Sequence, residues 1–167
     1  MASSVTMPFF KDSVSNLIAR RLPITLTLGL VGLSLALLVS IPLGILAAIR
    51  ENSWIDRAVT MFTMVGQAVP SFWLALILMI VLGLQLGVLP ISGTGTWQHF
   101  VMPGIVLAFT AIPALTRLTR SGMIEAMASD YIRTARAKGL SRARIIFKHA
   151  LRNAAIPVVS IAAVQLG

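Results

Sequence analysis

The sequence predicts an all-α protein that crosses a membrane several times, and three observations carry that prediction. Of the 167 residues 57% are hydrophobic and only 11% are charged. No Asp, Glu, Lys or Arg occurs in residues 22–49 or 58–116. Nine of the fourteen Lys and Arg are instead gathered in residues 117–152. A water-soluble domain of this size cannot hide so much apolar surface and would aggregate. A run of about 20 apolar residues crosses a bilayer as a helix, because a helix satisfies its own backbone groups there.

Four apolar runs follow from this reading. Span A covers about 24–49, span B about 59–84 and span C about 100–116. A fourth run opens near residue 154 and continues to the last residue. The basic block 117–153 cannot enter lipid, and the positive-inside rule makes it cytoplasmic. Span C then runs from outside to inside, span B from inside to outside, and span A from outside to inside. The turn 50–57 falls inside with Arg50 and Arg57, and loop 85–97 falls outside with no Lys or Arg. Lys11, Arg20 and Arg21 fall on the outer side, against the rule. An additional upstream span would restore agreement, so the chain is expected to be part of one larger transmembrane domain, lacking a span upstream and further spans downstream. Residues 1–16 carry no signal-peptide pattern.

Within span A, Gly32, Ala36, Ser40, Gly44 and Ala48 recur every fourth residue and form a strip of small side chains for close helix packing. Pro42, Pro70 and Pro113 are expected to kink their helices. Gln67, Pro70 and Ser71 give span B a polar, weakened middle, a candidate for a kink or part of a translocation path. Interhelical hydrogen bonding by Gln67 is the competing explanation. No acidic or basic side chain lies at mid-membrane, which argues against a proton-coupled carrier.

The block 130–153, DYIRTARAKGLSRARIIFKHALRN, reads as helix, corner, helix. Ile124, Met127, Tyr131 and Ala135 follow helical spacing, with Arg133, Arg136 and Lys138 mostly on other faces. Gly139 suits a left-handed residue past a helix end, and Ser141 suits the N-cap of a second helix leading into the fourth run. Such a corner, fixed to two membrane helices, can pass force to them. A net charge of +9 also fits nucleic-acid contact. However, a helix-turn-helix tethered within a few residues of a bilayer obstructs a duplex. A lipid anchor fits the charge as well as a docking knob does. For an intramembrane enzyme, the candidate groups are the scattered His99, His149 and Ser71, with no Ser-Lys, paired-Asp or H-E-x-x-H pattern. No cysteine is present, so neither a disulfide nor a thiolate metal site is available.

One pattern separates anchor from knob. Residues 131–141 (YIRTARAKGLS), followed by Lys148-His149-Ala150-Leu151-Arg152-Asn153 and Pro157, resemble the coupling region of integral-membrane permeases of bacterial ABC importers, in the dipeptide/oligopeptide/nickel branch. Leu22-Pro23-Ile24-Thr25, Pro42-Leu43-Gly44, Asp56, Pro70-Ser71-Phe72-Trp73, Leu89-Pro90, Pro103 and Arg117-Leu118-Thr119-Arg120 extend the resemblance along the chain. The family's loop motif begins Glu-Ala-Ala. Aligned through Gly139 it falls on Arg133, Thr134 and Ala135, so the family's Glu is replaced by Arg here. Glu125-Ala126 imitates the motif's opening at the wrong distance from Gly139.

The resemblance implies a polytopic helical fold of the type I ABC importer permease kind, with a cytoplasmic coupling helix, in a bacterial inner membrane. It implies Tyr131, Arg133, Thr134, Ala135, Arg136, Ala137, Lys138, Gly139, Leu140 and Ser141 as the ATPase-coupling residues. Among these, Tyr131, Ala135 and Leu140 would supply apolar docking surface, and Arg133, Arg136 and Lys138 would meet acids or lipid phosphates. Implied partners are a homologous second permease, cytoplasmic ABC ATPases, an extracytoplasmic solute-binding protein and membrane lipid. The cargo would be a peptide or related small solute. No catalytic residue, cofactor or metal is expected; with no G-x-x-x-x-G-K-[ST] loop, ATP hydrolysis falls to the partners. A membrane scaffold held by the basic block, with no transport role, is the alternative.

Overall fold

The computed structural model describes residues 14–93 and 95–166, and all the secondary structure in them is helical. Lys11 and most of the polar tail lie outside the described residues. Helix α1 covers Val14–Ile49 and α2 covers Trp54–Ala68. Helix α3, Ser71–Leu78, continues as a π-helical stretch over Met79–Gln85. A 3-10 turn at Trp97–Phe100 opens α4, Val101–Ala128. Helix α5 covers Asp130–Ala137. The short α6, Arg142–Arg144, passes through a π-helical stretch, Ile145–Ala150, into α7, Leu151–Leu166.

Three helical stretches are long and apolar enough to cross a membrane: Arg21–Ile49, Trp97–Ala128 and Arg142–Val164. A wide range of large apolar side chains on them faces outward, including Leu38, Leu46, Ile156, Val159 and Val164. In water such faces would associate; in a bilayer they are the proper lipid contact.

Helices α1 and α4 form the central pair and run in the same direction. Gly32 lies against Leu107 and, twelve residues further along each helix, Gly44 lies against Thr119. The small strip makes this possible. A Cβ at Gly44 would stand 2.6 Å from Thr119 Cβ and 2.9 Å from the Thr116 carbonyl oxygen, too close for any side chain. Ala36, Ser40 and Gly44 are all buried. Backbones in lipid approach this closely only over small residues, because packing rather than water exclusion holds the pair. The equal direction of α1 and α4 agrees with the charge-based topology.

Two boundaries differ from the sequence expectation. Span C does not stop at residue 116, since α4 continues unbroken to Ala128. Its buried positions Gly104, Ala108, Ala111, Leu115, Thr119, Met123 and Ala126 make one stripe with helical spacing, so packing carries the helix past the last apolar run. Span B is not one helix. Its two arms, α2 and α3, meet at 90°. Pro70 has no N–H to continue α2 and drives Val69 into extended backbone, φ −79° and ψ 119°. By contrast, Pro42 and Pro113 stay inside continuous helices.

Candidate functional site

Ser129 ends α4 and sets the basic corner. Its backbone is extended (ψ 154°), its hydroxyl donates to the Ala126 carbonyl, and its own carbonyl accepts the N–H groups of Ile132 and Arg133. The helical spacing that runs from Ile124 to Ala135 is therefore shared between two helices, divided where a serine competes for backbone hydrogen bonds.

Helix α5 has one buried edge. Ile132 is fully buried and Ala135 nearly so. They sit in an apolar cluster with Met123 and Ala126 of α4, Ile45 of α1, and Ile145, Ile146, Ala150 and Ala154 of the following helix. Tyr131, Arg133, Thr134, Arg136, Ala137 and Lys138 are exposed. Gly139 has φ +75°, in the left-handed region the corner requires. Its N–H donates to Arg136 O at 3.0 Å, and the Leu140 N–H donates to Ala135 O at 3.3 Å, closing the helix end. A Cβ at 139 would meet nothing within 4 Å, so the demand for glycine there is purely conformational. Leu140 is half-buried against the same cluster. Ser141 holds the N-cap position with extended backbone, and its carbonyl, not its hydroxyl, takes the bond, from Ile145 N–H at 3.0 Å.

Of the three apolar residues expected to offer docking surface, Tyr131 is exposed, Leu140 is half-buried and Ala135 is buried. Ala135 faces the core because it shares the inward edge with Ile132, one turn before it. Ile132 was absent from the expected set; its spacing from Ala135 in the sequence carries that signal. The Arg133–Asp130 ion pair, 3.7 Å apart and widely exposed, contributes little to stability.

A second unexpected feature locks the inner face. Arg120 of α4 grips Asp56 of α2 with two parallel bonds, Nε to Oδ1 at 2.6 Å and Nη2 to Oδ2 at 2.7 Å. Asp56 is buried, and also accepts the Asn52 N–H at 3.0 Å. Ser53 caps α2 through the Asp56 N–H, at 3.4 Å. The turn between α1 and α2, with Asn52 at φ 61°, is thereby tied to α4 just before the basic corner. The pair spans 64 positions of chain, so no local pattern reveals it.

Gln67, Pro70 and Ser71 are exposed at the α2–α3 corner. That corner packs through Gly66 on Pro113 and Phe109 midway along α4. The basic corner lies at the far end of α4. His99 lies in the 3-10 turn that opens α4, where its Nδ1 lies 2.9 Å from the Thr96 hydroxyl. His149 lines a basin beside Tyr131, and Ser71 sits at the α2–α3 corner. The three groups considered for catalysis are thus on three separate elements.

The decisive comparison covers residues 40–167, which match the model of the binding-protein-dependent transport system inner membrane component. The chain belongs to that family. It is a multi-pass component of the inner membrane, and it is 47% identical over 158 residues to the oligopeptide transport system permease protein AppB of Bacillus subtilis (strain 168), covering 89% of this chain and 50% of the relative. It is 40% identical to the dipeptide transport system permease protein DppB of Lactococcus lactis subsp. cremoris (strain MG1363), covering 92% and 50%. The glutathione transport system permease protein GsiC of Salmonella choleraesuis (strain SC-B67) is 39% identical, again over 92% and 50%. The chain thus spans about half the length of the curated relatives it matches. The fold is similar to that in a crystal structure of an amino acid ABC transporter with histidines, with a TM-score of 0.61 at 18% identity over 91% of this chain and 68% of that one.

Proposed function

We propose that this chain forms the path-lining and force-coupling part of a permease subunit in an ATP-driven importer of peptides or a related small solute. The observation that carries the reading is the basic corner itself. Its outer face, with Tyr131, Arg133, Arg136 and Lys138, is free for a partner, while Ile132 and Ala135 root it in a core shared by α1, α4 and α7. A push on α5 therefore moves three membrane helices together, since a close-packed core transmits displacement instead of absorbing it. Cytoplasmic ABC ATPases are the partners that would push; a homologous second permease would complete the path, and an outer solute-binding protein would deliver cargo. ATP hydrolysis belongs to the ATPases. Relatives named for oligopeptide, dipeptide and glutathione transport support the peptide class of cargo.

The test is uptake of labelled peptides into proteoliposomes that hold the full-length permease, its partner permease and its ATPases, with binding protein added outside. Uptake that depends on both ATP and binding protein is expected. In the Gly139→Val variant the protein should remain in the membrane, while ATP hydrolysis continues without uptake. Normal uptake by that variant overturns the coupling role.

A further inference from the structure

Beside Tyr131 at the basic corner lies a shallow basin of about 430 Å³ lined by Tyr131, Lys148, His149, Arg152 and Asn153. The coupling reading makes no use of four of these five residues. We propose that the basin binds the phosphate of an anionic phospholipid headgroup from the cytoplasmic leaflet.

The lining supplies two cationic side chains, a phenol, an imidazole and a carboxamide, and no carboxylate. That set can surround a phosphate with charge-assisted hydrogen bonds, and it repels nothing anionic. Lys148 and His149, at the end of the π-helical stretch, and Arg152 and Asn153, in the first turn of α7, line the basin together. Tyr131 closes the basin from α5. Asp130, adjacent to Tyr131 in sequence, is paired with Arg133 at 3.7 Å.

Position selects lipid over other sources of phosphate or acid. Beyond Asn153 the exposed large side chains of the helix are apolar: Ile156, Val159, Ile161 and Val164. Before it, the exposed Phe147 stands next to Lys148, and aromatic rings favour the headgroup level of a bilayer. The boundary between water and hydrocarbon therefore crosses the basin. One turn deeper than Arg152, Ile156 offers an apolar strip on which the acyl chain of the same molecule would lie. A free phosphate or a protein carboxylate would use the cations and leave that strip unused. Basic pockets between helices on the cytoplasmic side suit anionic headgroups for this reason.

The experiment is native mass spectrometry of the full-length permease, released from nanodiscs containing equal amounts of phosphatidylglycerol and phosphatidylcholine. The unaltered protein should retain phosphatidylglycerol preferentially; equal retention of the two lipids overturns the proposal. The double variant Lys148→Gln/Arg152→Gln should retain roughly tenfold less phosphatidylglycerol. Arg133→Gln/Lys138→Gln, which removes as much charge outside the basin, should change retention less than about twofold. Equal losses in the two double variants would reduce the basin to general surface charge and overturn it. Ile156→Ser should lower retention severalfold without touching a charge. Displacement of the lipid by excess inorganic phosphate would assign the site to a soluble anion. Loss of a co-purifying protein partner from Lys148→Gln/Arg152→Gln, with lipid retention unchanged, would assign it to a protein acid. Either result excludes the lipid.

Discussion

The molecule turns two sharp helical corners, and they are built in opposite ways. At Gly139 the chain reverses through a left-handed residue, with the helix end closed by backbone bonds and the inner edge set in an apolar cluster. At Val69–Pro70 the chain turns by 90° because proline cannot continue the helix, and Gln67, Pro70 and Ser71 stay exposed. The first corner is rooted in three neighbouring helices, whereas the second leans on α4 through Gly66 alone among its buried residues near the bend. The first corner is thus held over a buried core, whereas Gln67, Pro70 and Ser71 at the second stay exposed. Under the proposed function, the first corner would receive force from the ATPases and the second would border the solute path.

The comparison breaks most readily at the floor of the first corner. Ile132→Ala should cost about 3 kcal/mol, the range for emptying a fully buried aliphatic site, read as loss of thermal stability of the purified permease. Tyr131→Ala, one residue away but exposed, should leave stability within about 0.5 kcal/mol. Equal effects from the two would mean that α5 is not rooted as described. Next in size is Arg120→Ala, expected to cost about 2 kcal/mol, because the buried Asp56 would keep only the Asn52 N–H as partner. Removing both partners, Asp56→Ala with Arg120→Ala, should cost clearly less than the two single losses added together. A double-mutant cycle measures that difference, and strict additivity would dismiss the lock.

Gly139→Ala should cost about 1 kcal/mol, entirely from the left-handed backbone, since the added methyl has open space. Its effect on uptake should exceed its effect on stability, as measured by transport per folded molecule. The smallest stability effect belongs to Pro70→Ala at the second corner, within about 0.5 kcal/mol because the residue is exposed. There the useful readout is a spin-label distance between α2 and α3, which should lengthen as the two arms straighten. An unchanged distance would place the cause of the bend in tertiary packing, not in proline.

Much of this was legible in one dimension, and particular residues show why. The strip from Gly32 to Gly44 marked the close face of α1 because a four-residue repeat of small side chains has few other uses in a membrane helix. Gly139 marked its corner because a positive φ is easy for glycine and costly for residues with a side chain. The family was recognisable from residues 131–141 together with Arg117–Arg120. Other features were hidden for equally specific reasons. Hydropathy stops at Thr116, whereas the buried stripe of α4 runs on to Ala126 and is visible only in the packing. Ala135 was assigned to the surface because composition does not say which edge of a short basic helix faces inward. The Asp56–Arg120 pair joins distant segments, and neither residue is unusual in its own neighbourhood.

Apolar length and the clustering of positive charge were enough to predict a helical protein with several spans, and Gly139 to place the corner, because these depend on transfer between water and lipid and on local backbone preference. Which edge of α5 is buried, how far α4 extends, how sharply α2 and α3 part and which charges meet depended on packing between segments far apart in the chain. Only the tertiary structure could decide those, since contact energies act on positions that the chain order does not bring together.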